Sequence, residues 1–139
     1  MTNVRDRYVG ERVVYDADSH VMELPGWLEE FADAATAEQL RPLALAGAGA
    51  LADRAVEEAA ERRAAGVATL DPDPVELLRA KGWGAVGAFD SVERSFVLDQ
   101  LGFAAQFVFP TFAATQFAGT DLDLYYGGAD ALNRAMAAF

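Results

Sequence analysis

The sequence predicts an α/β fold, and three observations predict it. Residues 12–19 alternate as a half-buried strand does, with Val14, Asp16 and Asp18 on one side and Val13, Tyr15, Ala17 and Ser19 on the other. Residues 90–109 read as a helix, a glycine stop at Gly102 and then an apolar strand, the helix-then-strand order of α/β proteins. Apolar residues make up 53% of the chain and charged residues 24%, which fits one globular core and excludes a disordered chain.

In chain order, residues 1–11 are polar and of mixed charge and are expected to form a flexible leader. The first strand comes next at 12–19, and residues 20–23 form the loop after it. Residues 25–31 start a short helix with Trp27, Leu28 and Phe31 on one face. Thr36 and Gln39 have the spacing of a capping box, and Pro42, with no N–H to offer a continuing helix, breaks or kinks it. A long Ala-rich helix is expected from residue 43 to 65, weakened by Gly47 and Gly49 and stopped by Gly66. Within it Glu58 and Arg62 have the favourable i, i+4 order, and the charge run reads as a solvated helix face.

Asp73, Pro74 and Glu76 start a short helix that runs to Ala80. The glycine-rich residues 81–89 form a loop pinned by Trp83 and Phe89. They lack the preceding strand and the Gly-Lys-Ser/Thr ending of a phosphate loop. Asp90 and Glu93 open a helix that Gly102 ends, and residues 103–109 form the second strand, expected beside the first and parallel to it. Thr120 and Asp123 cap a helix that Gly127 and Gly128 break. A last helix, 129–139, is expected to turn Leu132, Met136 and Phe139 inward.

A net charge of −11 argues against phosphate-backbone or anionic-membrane partners, which need clustered Lys and Arg. No cysteine is present, so disulfides, zinc thiolates and thiol catalysis are excluded. No signal-peptide pattern and no apolar run of spanning length is found, and a cytoplasmic location is expected.

The stretch with the most chemistry is residues 13–23, which holds the one histidine. Asp18 and His20 share a strand face, so a carboxylate oxygen and an imidazole nitrogen can reach one divalent ion. Asp-x-His alone is also an ordinary solvated strand end. The surrounding Asp16-Ala17-Asp18-Ser19-His20-Val21 with Glu23 resembles the first-strand motif of the amidohydrolase family 2 enzymes, metal-dependent TIM-barrel hydrolases and decarboxylases. Residues 81–112 resemble the region around that family's second strand, through Lys81-Gly82-Trp83, Gly87-Ala88-Phe89-Asp90, Arg94, Leu98-Asp99, Leu101-Gly102-Phe103, Gln106 and Val108-Phe109-Pro110-Thr111-Phe112.

The resemblance implies that residues 1–139 are an N-terminal part of a barrel: the first two strands with a helical excursion between them. A whole (β/α)₈ barrel takes about 250 residues. It also implies a divalent metal, zinc first, held by Asp18 and His20 and only weakly by this chain alone. Asp16 would lie beneath the metal, while Glu23 and Thr111 would line the mouth. Leu24 stands between Glu23 and Pro25, where the family often has Glu-Pro, so the resemblance leaves the path of the loop after the histidine open. The family's remaining ligands and catalytic aspartate lie on later strands, so no catalytic residue is assigned and the chain is expected to be inactive alone.

The substrate class implied is a small organic carboxylate, ester or amide. The alternative is a non-catalytic remnant or subunit. It would form a homo-oligomer, or pair with a complementing C-terminal chain, through open strand edges.

Overall fold

The computed structural model describes residues 8–45, 47–67 and 70–139. Residues 1–7 of the expected leader lie outside them. Two strands, β1 (Tyr15–Val21) and β2 (Ala105–Pro110), pair in parallel as one sheet, with helices between and after them. The α/β class and the parallel pairing agree with the sequence expectation. Two strands do not show a barrel portion. β1 is displaced from residues 12–19 because its partner sets the ladder. Ala104 donates its N–H to the Val14 carbonyl at 2.8 Å, and the strand begins after that bond and carries on through Val21.

The chain divides into two compact units, one made of Met1–His20 and Ala50–Phe109 and the other of Val21–Gly49 and Pro110–Phe139. In the first unit, the long helix (Gly49–Ala65), labelled α2 because a shorter helix α1 (Ala34–Ala37) precedes it, buries an alanine stripe, Ala52, Ala55 and Ala59. It starts at Gly49 rather than at residue 43 because Gly47 takes a left-handed φ of 85°, which no helix can contain. Gly66, at φ 87°, ends it as expected. Helix α3 (Pro74–Arg79) has Asp73 as its cap, the carboxylate accepting from the Val75 N–H at 2.8 Å.

Residues 82–84 form a single 3₁₀ turn that buries Trp83. Helix α4 (Ser91–Leu101) is capped by Asp90, which accepts from Val92 and Glu93 N–H, and it ends at Gly102 in the left-handed region.

Arg62 does not pair with Glu58 as the helix spacing suggests. Its guanidinium makes a two-pronged ion pair with Glu93, at 2.7 and 3.1 Å. Glu93 is only 1% exposed, and it also accepts the Gly87 N–H at 3.0 Å. A buried carboxylate claims the nearest donors before a solvated one does. The same partners explain why Glu93 leaves the capping box open. Arg63, next along α2, pairs with Asp90. The charge face expected to be solvated therefore directs two arginines onto the first turn of α4.

In the second unit, residues 25–28 are turns and Glu29–Phe31 is a 3₁₀ turn. Helix α1 is capped by Asp33, not by Thr36. Asp33 accepts from the Thr36 N–H at 2.9 Å and from its hydroxyl at 2.8 Å, which leaves Thr36 buried inside the helix. Helix α5 (Leu122–Ala138) is likewise capped by Asp121 rather than Thr120. It runs unbroken through Gly127 and Gly128.

A Cβ on Gly127 would overlap the Thr36 side chain, and one on Gly128 the Phe117 ring. Glycine here permits close approach and does not end the helix. The inward stripe of α5 is accordingly Gly128, Ala131 and Ala135, with Leu132 only partly buried, in place of the larger residues expected. Leu28, Ala113, Phe117 and Ala131 form the core of this unit. No helix among the described residues is long and apolar enough to cross a membrane.

These contacts set the expected cost of two substitutions. Glu93→Ala leaves Arg62 facing a vacated pocket and is expected to cost about 3 kcal/mol in urea unfolding. Arg79→Ala, which breaks the exposed pair with Glu76, should stay within about 0.5 kcal/mol. The Thr36 N–H and hydroxyl hold the Asp33 carboxyl below its ordinary value of 3.8. Its folded pKa is depressed, so its contribution is full above pH 3.8. It is lost as pH falls through the folded value. The Thr36 amide resonance should report that loss in an NMR titration, and Asp33→Asn should remove its pH dependence.

Candidate functional site

Asp18 and His20 both project from the C-terminal half of β1. Their alternation on one strand puts them on one side, and Asp18 Oδ1 lies 3.6 Å from His20 Nε2. Both are open to solvent, Asp18 almost wholly and His20 about half. The imidazole packs on Phe109 of β2, with ring centroids 5.9 Å apart and a 45° tilt. This places Phe109 on the face that carries the pair. By strand period Phe107 shares that face, and it is 70% exposed.

The polar support for this strand end comes from Arg94 on α4. Its Nη1 donates to Ser19 Oγ at 2.7 Å and to Gln106 Oε1 at 3.3 Å, its Nη2 to the His20 carbonyl at 2.7 Å, and its Nε to the Gly87 carbonyl at 2.9 Å. Gln106 passes the chain of bonds on, donating from Nε2 to Asp16 Oδ2 at 3.0 Å. Asp16 Oδ1 accepts the Asp18 N–H at 3.1 Å. Burial lowers the Arg94 pKa, and the charge of Asp16 acts the other way. A guanidinium that costs energy to bury is retained where its fork of donors ties several groups at once.

Gly87 permits this. Its φ is +76°, and a Cβ would stand 2.6 Å from the Arg94 backbone.

Glu23 and Thr111 belong to the second unit. Glu23 is 1% exposed, and its carboxylate accepts the N–H groups of Thr111 at 2.8 Å, Phe112 at 3.0 and 3.1 Å, and Ala113 at 3.1 Å. Thr111 Oγ1 donates to the Val21 carbonyl at 2.6 Å. The segment after β1 is thus fastened to the segment after β2. The sequence motif places Glu23 near the strand end but gives no sign that backbone amides take up its charge.

As a metal-binding set the described residues offer two donors. Two ligands about 2.1 Å from a tetrahedral ion stand roughly 3.4 Å apart, and the 3.6 Å between Asp18 and His20 is close to that. Among the described residues no group of three or more His, Asp or Glu side chains could hold an ion. The pair fits one side of a metal site and supplies no third ligand.

Arg94 and Gln106 support the strand end, a role that sequence reasoning does not assign them. The one local signal was a polar Gln inside an apolar strand. Comparison of the chain with family models, curated proteins and solved structures found no match.

Replacing Glu23 by Ala takes the acceptor from three amide donors, Thr111, Phe112 and Ala113, of which Ala113 is buried and Phe112 half-buried. At about 1–3 kcal/mol for an unsatisfied buried donor, and less where water can reach it, a loss of roughly 2–3 kcal/mol is expected in denaturant unfolding. Glu23→Gln, which keeps one acceptor oxygen, should recover part of it.

Proposed function

We propose that the chain carries the first metal-binding strand of an amidohydrolase-type, metal-dependent hydrolase or decarboxylase that acts on a small organic carboxylate, ester or amide. The observation that carries the reading is the convergence of Asp18 and His20 at the C-terminal end of a strand whose parallel neighbour is reached through helices. A β/α barrel gathers its functional groups at that end of its strands. The bare face bearing Phe107 and Phe109 supports the finer fold proposal, a barrel portion, because further strands would cover such a face.

Asp18 and His20 would hold the divalent ion, zinc first. A bound ion of this kind activates water or polarises a substrate carboxyl. In this reading the chain's own contribution is positional. Arg94 fixes the strand end through Ser19 and the His20 carbonyl, Asp16 fixes the Asp18 backbone through its N–H, and Phe109 limits the swing of the imidazole. A cytoplasmic setting and a small-molecule partner belong to the same proposal.

The exposed Phe107 also favours a second reading, a non-catalytic subunit that assembles with itself or a separate chain through the open sheet. Sedimentation separates the two: association that persists in chelator and in His20→Ala supports the second.

Zinc titration by calorimetry tests the first. Weak binding is expected, abolished when Asp18→Ala and His20→Ala are combined. Tight stoichiometric binding that survives both substitutions would place the metal elsewhere and end the proposal. The purified chain is expected to show no metal-dependent ester hydrolysis or decarboxylation, since about three protein ligands are typical of catalytic zinc.

A further inference from the structure

The first unit contains a cavity of about 490 Å³ between α2 and the Gly82–Gly84 turn, and no residue of the strand-end site lines it. Its volume falls within the range of small-molecule pockets. The wall is largely apolar, from Leu51 and Ala55 on α2 and from the buried Trp83 on the turn. Gly82 and Gly84, either side of the tryptophan, bring no side chain to fill the space. A Cβ added at Gly84 would meet nothing within 4 Å.

Three charged side chains complete the lining: Arg54, Lys81 and Glu58. Arg54 and Lys81 have no ion-pair partner among the described residues. The Glu58 charge acts on Arg62, one turn along the same helix. Arg54 and Lys81 against Glu58 leave the lining one positive charge in excess, in a chain whose net charge is −11. On such a chain an excess of positive charge beside an apolar wall is a chemical preference for a ligand of opposite sign. An aliphatic or aromatic body would replace water along Leu51, Ala55 and Trp83, and one anionic group would lie between Arg54 and Lys81.

We propose that this cavity binds a small organic acid, an apolar skeleton carrying a single carboxylate. The acid is held by burial of its hydrocarbon part and is selected by the two cations. The site is independent of any metal at Asp18 and His20.

The experiment uses the whole chain with Trp27→Phe, so that Trp83 is the one tryptophan left to report, and octanoate as the probe. A saturable shift of the Trp83 emission is expected, weakening as salt is raised. Octanol, which has the same chain without the charge, should bind less tightly and without salt dependence.

Arg54→Gln with Lys81→Gln should weaken octanoate about fivefold, the value of two exposed charge pairs, and leave octanol unchanged. Leu51→Glu places an acid on the apolar wall at an exposed helix position. It should abolish octanoate binding while the far-UV circular dichroism stays that of the parent. The proposal is overturned if octanoate gives no saturable change. It is equally overturned if the double glutamine variant binds octanoate as tightly as the parent, or if octanol and octanoate bind alike.

Discussion

A carboxylate out of reach of water must be answered by donors, and this constraint organises each unit of the chain. Glu93 in the first unit and Glu23 in the second are each 1% exposed. Glu93 is answered by a guanidinium from α2 and a backbone N–H, and Glu23 by the backbone N–H groups of three consecutive residues. Removing such charges from water costs several kcal/mol apiece before any pairing, so the donors cannot be incidental. They dictate where α2 lies against α4, and where the chain goes after β2.

The strand end that bears Asp18 and His20 obeys the same rule from the donor's side. Its side chains are open to solvent, yet the backbone beneath them is held by Arg94, which spans Ser19, the His20 carbonyl, Gln106 and Gly87. A site on such a strand keeps its geometry without relying on its own ligands. This arrangement leaves a cation partly buried, and Asp16 offsets some of the penalty.

Local chemistry was legible in the sequence wherever one residue decides the outcome. Asp73 before Pro74, Asp90 before α4, and the stops at Gly66 and Gly102 all stand where the residue types place them, because caps and left-handed turns depend on a few neighbouring atoms. Choices between near-equivalent residues were not legible. Asp33 and Asp121 took the caps that Thr36 and Thr120 also matched, since a carboxylate accepts from two donors at once. Tertiary pairing was invisible altogether. Glu58 is the right distance from Arg62 along the helix, but Glu93 wins because it is buried. Of the candidate site, the Asp18–His20 convergence was readable from strand period alone. The Glu23 amide cradle and the Arg94 hub were not, since each joins segments more than 70 residues apart in the sequence.

Gly127 and Gly128 lie within a helix that would be more stable with alanine, by about 1 kcal/mol at each position. Alanine is shut out because the Thr36 side chain at 127, and the Cβ and ring of Phe117 at 128, occupy the space a methyl group would need. The two sides of each contact are therefore not free to drift separately. A larger residue at 127 needs room given up by the Thr36 side chain, whereas at 128 the loss of the Phe117 ring is not enough, because the Phe117 Cβ alone would overlap the new Cβ. Position 128 is therefore the stricter of the two, since its limit is set by an atom fixed to the backbone and not by a side-chain tip that can be trimmed.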